Sequence, residues 1–258
     1  MSVAHDLSHT SVRDQVSEEE WNVRVELAAV YRLVAHYGWT DMIFTHISAR
    51  VPGPEHHFLI NPYGLLFDEI TASSLVKVDV EGNAVMDTPH PINPAGFTIH
   101  SAVHMAREDA KCVIHLHTDD GVAVSSQKEG LLPLTQHAMQ VVPQLAYHDY
   151  EGIALDHDER ERLVADLGDK SLMLLRNHGT LATGPNCATA FLAMFFLERA
   201  CTMQIKILSG GTPNIPNEGV EQVVEKQMDG LFSEGKFAHL PWPALLRLLD
   251  RENPGYAD

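Results

Sequence analysis

The chain has few cysteines, few basic residues and no long apolar run, and each shortage excludes something. Cys112, Cys187 and Cys201 are an odd, sparse set among 258 residues, too few for a disulfide framework and suited to a reducing compartment, where each packs as a small hydrophobe. Only 18 Lys and Arg stand against 35 Asp and Glu, a formal charge of -17, so a phosphate backbone or an anionic membrane surface is repelled by most of the protein. No apolar stretch approaches the ~18 residues of a membrane span, and the segment up to Glu20 is polar and acidic where a secretory signal needs an apolar core. A cytoplasmic protein with neither nucleic acid nor membrane as partner is expected. No internal stretch has linker composition, and 45% hydrophobic residues supply a sizeable core, so one domain is expected over residues 17–258.

Residues 1–16 carry no periodic apolar pattern and read as a mobile arm. Ser17 and Glu20 have capping-box spacing before a helix carrying Trp21, Val25, Ala28 and Tyr31, ended by Gly38. Short strands are expected over residues 42–51 and 57–60, with a turn at Asn61-Pro62-Tyr63-Gly64. Next comes a hairpin pattern, residues 75–80 and 84–86 flanking Glu81-Gly82-Asn83. Asn93 and Pro94 supply an N-cap and a pre-set φ for a helix running to Arg107. Residues 111–118 are apolar and β-branched enough for a central strand, and one or two more strands are expected within residues 131–144. A helix over residues 156–167, a buried strand over 171–175 and a long helix over 186–208 follow, then a C-terminal helical extension with Trp242, Leu245 and Leu249. Helices and strands mix without a regular βαβ rhythm, which predicts an α/β fold with a mainly antiparallel sheet and helices on its faces.

What the chain has in excess is histidine, sixteen in all. In Cys112-Val113-Ile114-His115-Leu116-His117 the alternation of a strand puts both histidines on one face, about 7 Å apart by strand rise. A third, His178 in Arg176-Asn177-His178-Gly179, closes the strand over residues 171–175, with Gly179 there to allow a sharp turn. A lone His-x-His pair is as often a pair of ordinary, hydrogen-bonded strand histidines. Three histidines, each at the end of an apolar strand, point instead to one divalent metal held by His115, His117 and His178, zinc first and manganese second.

His115-Leu116-His117-Thr118, followed downstream by Leu175-Arg176-Asn177-His178-Gly179, resembles the class II aldolase and adducin family. The resemblance runs from Trp21 to Leu208 and includes Ile60-Asn61-Pro62-Tyr63-Gly64, Val76-Lys77-Val78-Asp79 and Leu145-Ala146-Tyr147-His148-Asp149-Tyr150. It implies a three-layer α/β/α sandwich on a largely antiparallel sheet, a metal on the three histidines, and a ring of four subunits with active sites between neighbours. In the aldolases a Ser-Ser-Glu segment opens the helix before His-x-His, its serines holding the substrate phosphate and its Glu acting as acid and base. Here that segment is Pro94-Ala95-Gly96. Thr45-His46-Ile47-Ser48 likewise replaces the family's Gly-Asn-Ile-Ser phosphate loop, and Tyr63 replaces a small hydroxyl residue.

These departures turn the expectation from a sugar phosphate to a small, unphosphorylated hydroxy or keto acid, cleaved or decarboxylated by a metal-dependent carbon-carbon lyase. His46, Tyr63 and Gly96 are the candidate substrate contacts, and His46, Tyr63 and His137 the candidate catalytic groups. His137 stands near where the aldolases place a tyrosine that reaches a neighbour's metal, and an imidazole has the better pKa for moving a proton at neutral pH. A non-catalytic, adducin-like assembly module is the alternative, which the loss of Glu at Gly96 suits; a sugar-phosphate aldolase or epimerase comes last. His100 and His104, four apart on one helix, are expected on an interface face, and residues 147–150 in a structural turn.

Overall fold

A computed structural model describes residues 11–152, 159–228 and 238–258, and of residues 94–98 the backbone alone. Within the expected arm, Ser11 caps a single helical turn, α1 (Val12–Gln15), and residues 1–10 lie outside the described residues. The helix predicted after Ser17 is α2 (Glu18–His36). Ser17 Oγ accepts the Glu20 N–H at 3.1 Å, but the Glu20 carboxylate does not return to the cap. It is drawn inward to Arg24 at 3.0 Å and Lys77 at 2.7 Å, because a guanidinium buried as deeply as that of Arg24 needs an anion beside it. Gly38, at φ 70°, ends α2 as its sequence position predicts.

The remaining helices are α3 (Pro94–Ala106), α4 (Asp119–Ser125), α5 (Gln136–Val141), α6 (Glu159–Leu167), α7 (Cys187–Gly210), α8 (Val220–Met228) and α9 (Pro241–Glu252). The strands β1 (His46–Arg50), β2 (Phe58–Ile60), β3 (Val76–Val78), β4 (Cys112–Leu116), β5 (Leu145–His148), β6 (Leu172–Leu175) and β7 (Gly179–Gly184) join in one sheet, ordered β3-β2-β1-β4-β7-β6-β5. The sheet is mixed, where a largely antiparallel one was expected: β5 and β6 run parallel. A parallel pair needs a crossover, and α6 supplies it.

Other local expectations also change. The hairpin shrinks to β3 and a single bridge between Val78 and Ala84. Residues 131–144 hold α5 and a 3-10 turn rather than strands, since Thr135 caps the helix by accepting the Ala138 N–H at 3.1 Å and Pro143 has no N–H to give a sheet. The strand forms one step later, as β5, over the segment read as a turn. The helix expected over residues 156–167 is described from Glu159 onward, residues 153–158 lying outside the described residues.

Alternation along β4 divides its side chains between two apolar clusters. Cys112, Ile114 and Leu116 pack in one with Leu27 of α2 and Phe191 and Leu197 of α7. Val113 packs in the other with Ile99 and Val103 of α3 and Leu163 of α6. Full burial of an aliphatic side chain is worth about 1.5–3 kcal/mol, so a one-residue slip that exchanged the faces would forfeit several times that. His115, on the parity of Val113, is thereby fixed on the α3 side of the sheet. Among the described residues no helix is long and apolar enough to cross a membrane. Cys112, Cys187 and Cys201 are buried and unpaired.

Candidate metal centre

β4 lies between β1 and β7, antiparallel to both, in a register that sets His46 opposite His115 and Thr180 opposite Leu116. The β6–β7 reversal therefore delivers His178 beside the end of β4, where His117 follows Leu116. Asn177 takes the left-handed position of that turn, φ 57°, and the His178 N–H returns to the Leu175 carbonyl at 3.0 Å. Gly179, read from sequence as the turning residue, serves close approach instead. A Cβ there would lie 2.3 Å from the Leu116 carbonyl oxygen and 3.1 Å from His117 Cδ2. Only glycine lets β7 meet β4 at this point.

His115, His117 and His178 come together with their ligand atoms within 4.8 Å of one another. Their hydrogen bonds fix two tautomers. His115 Nδ1 is 3.0 Å from the Thr180 carbonyl oxygen, which only accepts, so the proton is on Nδ1 and Nε2 carries a lone pair. His117 Nδ1 is 3.2 Å from Asp41 Oδ2 and follows the same logic. The two Nε2 atoms then stand 3.0 Å apart with no proton between them, an arrangement that a cation resolves. Two ligands at 2.0–2.1 Å in tetrahedral zinc lie about 3.3 Å apart, close to this spacing. Burial, then the neighbouring imidazoles, pushes His178 down to about 4 and His115 well below its ordinary value. These two rings are thereby held neutral, the form that binds metal. Asp41 and Thr180 are the orienting acceptors that metal-bound imidazoles usually have, and neither was apparent from spacing.

Glu198 of α7 was also missed. Fully enclosed, it accepts hydrogen bonds from the hydroxyls of Thr118 at 2.5 Å and Thr180 at 2.6 Å, tying α7 to the ends of both strands that carry the histidines. Burial raises its carboxyl to about 7. The available signal was a single acidic residue inside the apolar stretch of α7, since such residues are rarely fully buried unless paired.

The other candidates divide. His46 is buried next to the triad, its Nε2 3.1 Å from Asn93 Nδ2, and burial followed by His117 and His178 pushes it down to about 4. Tyr63 is half-buried, its N–H on the Pro91 carbonyl at 2.9 Å, two residues before Asn93. Gly96 lies in the first turn of α3, and its surroundings fall outside the described residues. His137 sits on α5, half-buried and stacked on Phe196 with ring centres 5.5 Å apart, and is not part of the triad. His100 and His104 are not on an interface face of α3. Both are buried against β1, with Ser48 Oγ 2.6 Å from His100 Nδ1 and 2.7 Å from His104 Nε2, because a serine on the inner face of β1 meets their polar demand. His148 is held at the end of β5, its Nδ1 2.7 Å from Asp166.

Residues 25–205 match the family model described as Class II Aldolase and Adducin N-terminal domain. A Caulobacter vibrioides protein, provisionally named as aldolase class 2, is 65% identical over 250 residues, 96% of each chain. Alpha-adducin of Rattus norvegicus is 41% identical over 248 residues, 91% of this chain and 33% of that one. Among solved structures, an aldolase II superfamily protein from Pseudomonas syringae superposes with a TM-score of 0.92 at 55% identity, covering 96% of this chain and all of that one. An L-fuculose 1-phosphate aldolase from Glaciozyma antarctica reaches 0.79 at 27% identity, covering 92% of each chain. With the histidine cluster at the strand ends and a domain match across most of its length, this chain belongs to the class II aldolase and adducin family.

Proposed function

We propose that this protein is a divalent-metal-dependent carbon-carbon lyase, a decarboxylase or aldolase acting on a small, unphosphorylated hydroxy or keto acid. The reading rests above all on the 3.0 Å approach of two lone-pair nitrogens, His115 Nε2 and His117 Nε2, with His178 beside them. Those three side chains would hold the ion, zinc by first choice and manganese by second. When bound, a metal with an open position supplies Lewis-acid stabilisation of an enolate, the common need of retro-aldol cleavage and decarboxylation.

The chain's own residues shape the rest. His46, neutral and buried, replaces the small residue of the aldolases' phosphate loop and offers a dipole rather than a charge, which suits an uncharged substrate group. Tyr63 and the backbone at Gly96 complete the substrate side of this reading. His137 would act as the proton carrier of a neighbouring subunit's site in a homotetramer, since it stacks on Phe196 and is not one of the three clustered histidines. Three buried free thiols are in keeping with the cytoplasm.

A second reading has support of its own: 41% identity to alpha-adducin over 91% of this chain favours a non-catalytic assembly module. A sugar-phosphate aldolase or epimerase is third, supported by the likeness to an L-fuculose 1-phosphate aldolase and opposed by Pro94-Ala95-Gly96. A screen of hydroxy and keto acids for release of CO₂ or aldehyde, with added metal and with chelator, separates them. Metal-dependent release supports the lyase; a metal-free, stable protein inert to every acid supports the assembly module.

A further inference from the structure

Beside the triad lies a chain of hydrogen bonds whose protons can be assigned one at a time. His104 Nδ1 is 2.8 Å from the Ala110 carbonyl oxygen, an acceptor only, so that nitrogen carries the proton. Burial keeps the ring neutral, pushing it down to about 3, and Nε2 is therefore a lone pair. Ser48, 2.7 Å away, must donate its hydroxyl proton to that lone pair. Its oxygen is left to accept from His100 Nδ1 at 2.6 Å, which places the His100 proton on Nδ1. His100 Nε2 is then an unprotonated acceptor, enclosed by protein and without a partner among the described residues.

A complementary atom lies on the neighbouring ring of His46. Asn93 Nδ2 donates to His46 Nε2, so the His46 proton is on Nδ1, which is also buried and has no partner among the described residues. The His46 and His100 rings are 5.7 Å apart between centroids, and His46 is the cross-strand partner of His115 on the same face of the sheet. A buried polar atom left unmatched is costly, and one donor and one acceptor on neighbouring rings are a pair that a hydroxyl group can satisfy.

We propose that His46 and His100 form a neutral hydroxyl-binding subsite adjoining the metal centre, specific for the hydroxyl of a hydroxy acid. His100 Nε2 accepts the substrate's O–H proton and His46 Nδ1 donates to its oxygen; the Ala110–His104–Ser48 chain holds His100 in the required tautomer. The inference rests on the acid-binding reading above and adds the group that distinguishes a hydroxy acid from its deoxy counterpart. His100 lies one helical turn beyond Gly96, so α3 still presents a polar group to the site where the aldolase carboxylate is missing.

The test is a titration of the Co²⁺-loaded full chain with lactate and with propionate, which differ by one hydroxyl, read by the visible absorption of cobalt. His100→Asn keeps a donor for Ser48 and removes the Nε2 acceptor; His100→Gln places an acceptor near the Nε2 position; His46→Phe removes the donor and keeps ring volume. The preference for lactate over propionate is expected to fall about tenfold in His100→Asn and in His46→Phe and to recover in His100→Gln. Wild-type preference in both His100→Asn and His46→Phe would overturn the subsite alone, as would a wild type indifferent to the hydroxyl. Cobalt bound but insensitive to either acid would overturn the acid reading and the subsite with it.

Discussion

Asp41 Oδ2 stands 3.2 Å from His117 Nδ1 and thereby decides which nitrogen of that ring faces His115. With Nδ1–H directed at the carboxylate, the lone pair on Nε2 has nowhere to point but toward His115 Nε2, 3.0 Å away. The triad's capacity for a cation thus depends on a residue outside it, in the loop before β1.

Replacing Asp41 with Asn is expected to weaken metal binding about 10- to 100-fold while leaving the fold intact, because the amide no longer biases the tautomer or strengthens the imidazole as a ligand. Competition with a chromogenic chelator measures this directly. Unaltered affinity would remove Asp41 from the account.

The Gly179→Ala variant is expected to lose both metal affinity and stability. Its methyl carbon would sit 2.3 Å from the Leu116 carbonyl oxygen, so β7 must withdraw from β4 and take His178 with it. Such overpacking costs about 1–3 kcal/mol, visible as a lower urea midpoint, and metal affinity should fall by at least tenfold. A variant with wild-type midpoint and affinity would show that the strand ends yield more easily than the contact implies.

Glu198 makes stability depend on pH in an unusual direction for a carboxylate. Its folded-state pKa is raised from 4.5 to about 7, so the folded protein holds the proton more tightly than the unfolded chain. Stability on this account is fully present below about pH 4.5 and is lost as pH rises toward 7, by about 3 kcal/mol at most. Glu198→Gln, which mimics the protonated form, should therefore gain on the wild type between pH 4.5 and 8. Parallel melting curves across that range would contradict the assignment.

On an acid identified by screening, His137→Ala should lower turnover about a hundredfold with metal content unchanged, if a neighbour's His137 carries the proton. Mixing it with a His115→Ala chain should restore part of the activity, since mixed assemblies regain some intact sites. Wild-type turnover in His137→Ala would remove it from the mechanism.

The proximity of the three histidines was legible because two rules suffice for it. Period-2 alternation put His115 and His117 on one face, and the apolar run Ser171-Leu172-Met173-Leu174-Leu175 ended at the third. The parallel β5–β6 pair was not, because Thr135 and Pro143 turned a β-branched stretch into a helix and pushed the strand onward. β7 was not legible either: Gly179-Thr180-Leu181-Ala182-Thr183-Gly184 is buried on both sides and flanked by glycines, so it shows no alternation. Asp41, Glu198 and Ser48 reach the site from distant parts of the chain, and only tertiary contact reveals them. His100 and His104 had helical spacing that fits an exposed face as well as a buried one; a partner on β1 decided between them.

The most direct measurement is the metal content of the purified wild type beside His115→Ala, His117→Ala and His178→Ala, each confirmed as folded. About one zinc or manganese ion per chain in the wild type, and its loss from every variant, is the expected result. A divalent ion retained at full stoichiometry by all three variants would contradict the claim that these side chains share one cation.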